Sequence, residues 1–153
     1  MGEEVAEIFS KHIFSSKYED LSKKTIKQLK VFLLDTIGVG IAGSTGSKLN
    51  ELKKIAHTWS KGKNCTVLGT WDRYSRDAST LINAYQIHCL EFDCIHEGAV
   101  VHPMAAILSS LLAHCEEINN LGHHTNGLHI STCLRIHKTQ SIMNFLHRKC
   151  LYF

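Results

Sequence analysis

No apolar run in the 153-residue sequence approaches the roughly 20 uninterrupted residues that a bilayer-spanning helix needs. The opening MGEEVAEIF places acids where a signal or transit peptide carries basic residues. The sequence therefore predicts a soluble intracellular protein, cytoplasmic or mitochondrial, without a membrane partner. A clustered basic face is also missing. Residues 1–117 hold 13 Lys and Arg against all 14 Asp and Glu, a net −1, whereas residues 118–153 hold 4 basic residues and no acid, a net +4 within the overall +3. A neutral body excludes nucleic acid as its partner. Six cysteines, Cys65, Cys89, Cys94, Cys115, Cys133 and Cys150, are scattered without a Cys-x-x-Cys pair, and no His-Glu-x-x-His occurs. A disulfide scaffold and a zinc knuckle are both disfavoured, and free thiols are expected.

What remains is a sequence that is 44% hydrophobic, enough for one core, with its apolar residues at helical spacing. Val5, Ile8, Phe9 and Ile13 mark a first short helix, and Tyr18 to Leu21 reads as a turn. Ser22 caps a longer helix whose stripe Ile26, Leu29, Phe32, Leu33 and Ile37 lies opposite Lys23, Lys24, Lys27 and Lys30. Its second half, VFLLDTIGVGIAG, is apolar nearly all round and predicts burial on every side. Gly38 and Gly40 do not follow a strand, so close helix packing is expected of them rather than dinucleotide binding. The run GSTG at 43–46 stops that helix, and Leu49, Leu52, Ile55, Ala56 and Trp59 restart the period. The segment KGKNCTVLGT predicts an extended connector. A fourth helix begins near Ser75 and carries Ala78, Leu81, Ile82, Tyr85 and Leu90, and Pro103, the only proline, opens a fifth, MAAILSSLLAHCEE. The expected fold is an all-α helical bundle over 1–117, followed by a divergent, poorly ordered tail over 118–153 that has a short helix near Ile142 to Leu146.

Chemistry concentrates between the last two helices, where His88, Glu91, Asp93, His96, Glu97 and His102 share one loop and its borders. Carboxylates and imidazoles there can hold and relay protons near neutral pH. His102 stands where the free N–H groups and positive end of a helix opened by Pro103 would disfavour imidazolium and attract a substrate carboxylate. Two other readings stay open: a merely solvated polar loop, and a zinc site drawn from Cys89, Cys94, His96 and His102. In the tail, His129, Cys133 and His137 would share one helical face. Cys94 beside Asp93 would be a poor nucleophile, because a neighbouring carboxylate disfavours the thiolate, and a structural role is expected of it.

The run YEDLSKKTIKQLKVFLLDTIGVGIAGS, then TVLGT, then LINAYQIHCLEFDCIHEGAVVHPMAAILSSLLA resemble, in order and spacing, the opening landmarks of the MmgE/PrpD family over about residues 5–117. The resemblance implies the N-terminal helical domain of a lyase without cofactor or metal. Such a lyase acts on small di- and tricarboxylic acids of the 2-methylcitrate or cis-aconitate kind, by dehydration or decarboxylation. It implies His102, Asp93 and Glu91 as catalytic residues, His96 and His88 as substrate contacts, and a homodimer in the complete enzyme. Cys94 replaces the second acid of the family's acidic pair and Ile95 a neighbouring hydroxyl, so the particular acid used is not carried over. Family members run to several hundred residues, and the chain is expected to be a truncated member, inactive by itself.

Overall fold

A computed structural model of the chain describes residues 5–15, 18–70, 72–95 and 100–120. Among them are five α-helices, α1 (Val5–Ser15), α2 (Lys23–Ala42), α3 (Leu49–Trp59), α4 (Arg76–His88) and α5 (Pro103–Asn120), and two short strands, β1 (Cys65–Thr66) and β2 (Arg73–Tyr74). The all-α expectation holds. The expected tail helix near Ile142 to Leu146 and the tail's histidines and cysteines lie outside the described residues.

Local chemistry sets the helix limits. Ser22 Oγ accepts the Thr25 backbone N–H at 3.0 Å, satisfying one of the orphan donors of the first turn of α2. A 3-10 turn over Gly43–Thr45 ends it. Ser75 precedes α4, but its hydroxyl meets Ser60 Oγ at 3.2 Å instead of capping the helix. α5 begins at Pro103, as its missing N–H and fixed φ favour, and runs past Glu117 to Asn120. No single described helix is long and apolar enough to cross a membrane.

α4 is the centre of the packing and touches α2, α3, α5 and β1. Ala78 and Ile82 on α4 join Leu49 and Ala56 from α3 and Val67 from the connector in a buried cluster. A second stripe of α4, at positions i, i+4 and i+7, is polar and equally buried: Ser79, Asn83 and Gln86 are each 0% exposed. These side chains hold the connector. Ser79 Oγ donates to Cys65 O at 2.8 Å, and Asn83 accepts Leu68 N at 2.9 Å while donating to Thr66 O at 3.0 Å. Gln86 Nε2 donates to Leu68 O at 2.8 Å and Gly40 O at 3.0 Å, tying α2 to the same segment. Buried carbonyls without such partners would cost roughly 1–3 kcal/mol each.

The extended connector is a miniature antiparallel ribbon, with Cys65 opposite Tyr74 and Thr66 opposite Arg73. Cys65, Cys89 and Cys94 carry thiols, whereas Cys115 is disulfide-bonded, which corrects the expectation of free thiols there. The Cys65 thiol donates to Ala113 O at 3.1 Å, and burial, reinforced by the Glu116 and Glu117 carboxylates, pushes it from its ordinary 9.0 to about 11. Between those values an unfolded chain gives up this proton while the folded chain keeps it. Stability is thus expected to fall as pH rises from 9 to 11. Urea midpoints across that range should show the slope, and Cys65→Ala should flatten it.

Two expectations about α2 are corrected. Its second half is not buried all round: Val31, Leu34 and Ile41 are 59%, 75% and 48% exposed, on a stripe that no described element covers. Thr36, Gly40 and Gly43 form its buried side. Close packing accounts for Gly40, where an added Cβ would lie 2.8 Å from Leu68 Cδ1, but Gly38 has open space around it.

Candidate functional site

The end of α4 and the start of α5 bring the loop histidines together. His88 is the last residue of α4, and His102 directly precedes α5. Between them the backbone turns sharply. Glu91 N donates to His88 O at 2.8 Å, and Glu91 takes a φ of 56°. Val100 takes a φ of 50° at the other end of the loop. The left-handed region costs a non-glycine residue roughly 1–2 kcal/mol, more awkwardly still for a β-branched one. Such strain persists only where the surroundings impose it, and it clusters at functional sites.

Asp93 lies between the two histidines. Its side chain is 0% exposed, with Oδ1 3.1 Å from His88 Nδ1 and Oδ2 3.2 Å from His102 Nδ1. The first contact is a hydrogen bond. The second has the distance of one but not the direction, so Asp93 Oδ2 and His102 Nδ1 are both buried without a hydrogen-bond partner. The His102 contact is therefore electrostatic and not a directed hydrogen bond. The imidazoles stack obliquely, their centroids 4.6 Å apart and planes at 59°. Side-chain exposure grades across the group, from 51% at His88 through 29% at His102 to none at Asp93.

Of the five site residues read from the sequence, His88, Asp93 and His102 converge. Glu91 stands at the turn with its residue exposed, and His96, like Glu97, lies outside the described residues. The zinc set considered from sequence includes His96, which lies outside the described residues, so that set is not tested. Cys89 turns its thiol toward Gly43 O at 3.7 Å, and the donor group among the described residues is His88, Asp93 and His102. Neither the period of α4 nor that of α5 marks this meeting. His88 and Asp93 are five residues apart and His102 nine further on, so only closure of the loop joins them. A separate hollow of about 410 Å³, lined by Arg76, Asp77, Thr80, Ser110 and His114, adjoins the first turn of α4, at the opposite end of that helix from His88. Its Arg76 is already paired with Asp77 and Glu117.

Comparison with known proteins gives a consistent picture. The model of the MmgE/PrpD N-terminal domain matches residues 7–127. A cis-aconitate decarboxylase-like protein of Aspergillus oryzae is 28% identical over 107 residues, covering 70% of this chain and 22% of that protein. Human cis-aconitate decarboxylase is 29% identical over 115 residues, covering 74% of this chain and 24% of that enzyme. The mouse enzyme is 28% identical over 115 residues, covering 74% of the chain and 23% of its own length. The chain thus spans about a quarter of the length of the curated relatives it matches. No solved structure matches it.

Proposed function

The chain belongs to the MmgE/PrpD family, and from that premise we propose that it supplies the histidine-bearing helical wall of a cofactor-independent lyase for small di- and tricarboxylic acids, of the cis-aconitate or 2-methylcitrate kind. The observation that carries this reading is the buried Asp93 carboxylate facing the Nδ1 atoms of both His88 and His102 at 3.1 and 3.2 Å. A carboxylate at Nδ1 orients an imidazole and favours a proton on that nitrogen, which leaves Nε2 with its lone pair. In a dehydration His102 Nε2 then takes the proton from the carbon beside a substrate carboxylate, the C–H pair forms the new double bond, and the hydroxyl on the neighbouring carbon leaves as water with a proton from Glu91. In a decarboxylation the ring starts as imidazolium, and as CO₂ departs Nε2 gives its proton to the carbanion left behind. Asp93 is the positioning acid and Glu91 the second acid. His88, half exposed, and His96 hold substrate carboxylates.

Relatives are about three times as long, which supports the reading that this chain completes its site only with further sequence and is inactive alone. Incubating the purified chain with cis-aconitate and with 2-methylcitrate, followed by NMR, should give no product. Joined to the remaining sequence of a homologous enzyme, it should turn one of them over. Turnover by the chain alone would contradict its dependence on further sequence, and a folded but inactive chimera would contradict the lyase reading.

A second reading rests on the exposed stripe Val31, Leu34 and Ile41 of α2. Apolar surface of this kind favours docking, and the chain would then act by pairing with a full-length relative. Light scattering after mixing the two checks this. Leu34→Glu should abolish the mixed species, and two clean monomers from the parent chain would dispose of the idea.

A further inference from the structure

We propose that His88, Asp93 and His102 bind one divalent transition-metal ion, zinc being the ion whose donor preferences they match best. Their candidate donor atoms, the two imidazole nitrogens and a carboxylate oxygen, all lie within 4.8 Å of one another. Two imidazoles and one carboxylate form the kind of borderline nitrogen and oxygen set that zinc accepts with a coordination position left open to water. The inference stands on this geometry and does not depend on the lyase reading.

The unmet polar atoms point the same way. Asp93 Oδ2 and His102 Nδ1 are buried and lack hydrogen-bond partners although they are 3.2 Å apart. A buried carboxylate oxygen without a partner is costly, and a cation is the partner that relieves it most fully. With metal–ligand bonds of about 2.1 Å, a separation of 3.2 Å subtends about 100° at the ion, between the octahedral and tetrahedral values. The 3.1 Å between His88 Nδ1 and Asp93 Oδ1 subtends about 95° by the same construction. Gathering all three donors on one ion needs mainly a rotation of the His88 ring, which its 51% exposure permits. The negative end of α4 meets the site at His88 and the positive end of α5 meets it at Pro103. These partial charges oppose each other, so the formal charge of Asp93 decides in favour of a cation. An ion on His102 Nδ1 also forces that ring's proton onto Nε2. Metal occupancy and proton abstraction by Nε2 therefore exclude each other, and zinc would act as an inhibitor of any acid–base chemistry there.

The test uses the untagged 153-residue chain, stripped of metal with a chelator, titrated with Zn²⁺ in a calorimeter and with Co²⁺ by visible absorption. One equivalent of each ion should bind, with the Co²⁺ spectrum free of thiolate charge-transfer intensity. His88→Gln and Asp93→Asn should each weaken binding by about 10- to 100-fold or more, the scale of losses at a metal site's supporting groups. A combined His129→Gln, Cys133→Ser, His137→Gln variant should bind as the parent does. Should Asp93→Asn fail to fold by circular dichroism, the half-exposed His88→Gln still decides. No saturable binding below millimolar ion overturns the proposal. So does binding that survives His88→Gln but is lost in the triple variant. Because neither readout is activity, these outcomes leave the lyase assignment to be judged separately.

Discussion

Replacing His102 with glutamine, in a chimera that joins residues 1–120 to the remaining sequence of a homologous enzyme, is expected to lower turnover by about 100-fold or more, the usual scale for losing a general acid or base. The junction follows Asn120 because α5 runs to that residue, and a cut inside the helix would confuse catalytic loss with unfolding. Glutamine keeps a polar side chain beside Asp93 but cannot exchange a proton. Asp93→Asn should cause a comparable loss. Its carboxylate has 0% exposure and faces both rings, so the amide removes the charge that orients them. Residues acting as one unit lose their effect once, not twice. The double variant should accordingly be little slower than the worse of the two single variants. Turnover of His102→Gln within a few-fold of the parent would make this histidine a packing residue.

The largest expected effect on stability is at Gly43. A Cβ there would sit 1.9 Å from the Gln86 carbonyl oxygen and 2.7 Å from its carbon, both backbone atoms of α4 that cannot swing away as a flexible side chain would. Relief requires α2 and α4 to separate. That would break the Gln86 bond to Gly40 O and loosen the hold of α4 on the connector. Gly43→Ala should cost about 3 kcal/mol, the upper part of the range for overpacking. Against a total of roughly 5–15 kcal/mol for an ordinary domain, that lowers the melting midpoint by about 10 °C or more. Gly38→Ala is the control, since nothing lies within 4 Å of the added atom. It should stabilise by up to about 1 kcal/mol through reduced freedom of the unfolded chain. Circular-dichroism melts of both variants separate the two cases, and equal midpoints would mean that the helix crossing is wrong.

Helical period made most of the fold legible. The stripe Ile26, Leu29, Phe32, Leu33 and Ile37 is half buried opposite exposed Lys23, Lys24, Lys27 and Lys30, and Ser22, Gly43 and Pro103 act at helix ends. Period fails where burial is not apolar. Ser79, Asn83 and Gln86 lie off the apolar stripe of α4, yet they are buried because the ribbon backbone offers each a hydrogen bond. The opposite failure occurs on α2, where apolar Val31 and Leu34 suggest burial that no described element provides. At the site, residue chemistry singled out the loop. The pairing of Asp93 with His88 and His102 was not legible, because it depends on how far the loop turns between helix ends and on the left-handed backbone at Glu91 and Val100. Cys115, from spacing alone a thiol, shows the same limit of local reading.

In the proposed mechanism His102, facing Asp93, moves a proton at the carbon beside a substrate carboxylate. Running the chimera in D₂O tests it most directly, with NMR following deuterium in the decarboxylated product of cis-aconitate or, because dehydration removes the hydrogen from that carbon, in recovered 2-methylcitrate. The parent chimera should place solvent deuterium at the reacting carbon, and His102→Gln should slow that incorporation as much as it slows turnover. Incorporation at the parental rate in His102→Gln, or decarboxylation by the parent chimera that delivers no solvent deuterium to the product, would contradict it.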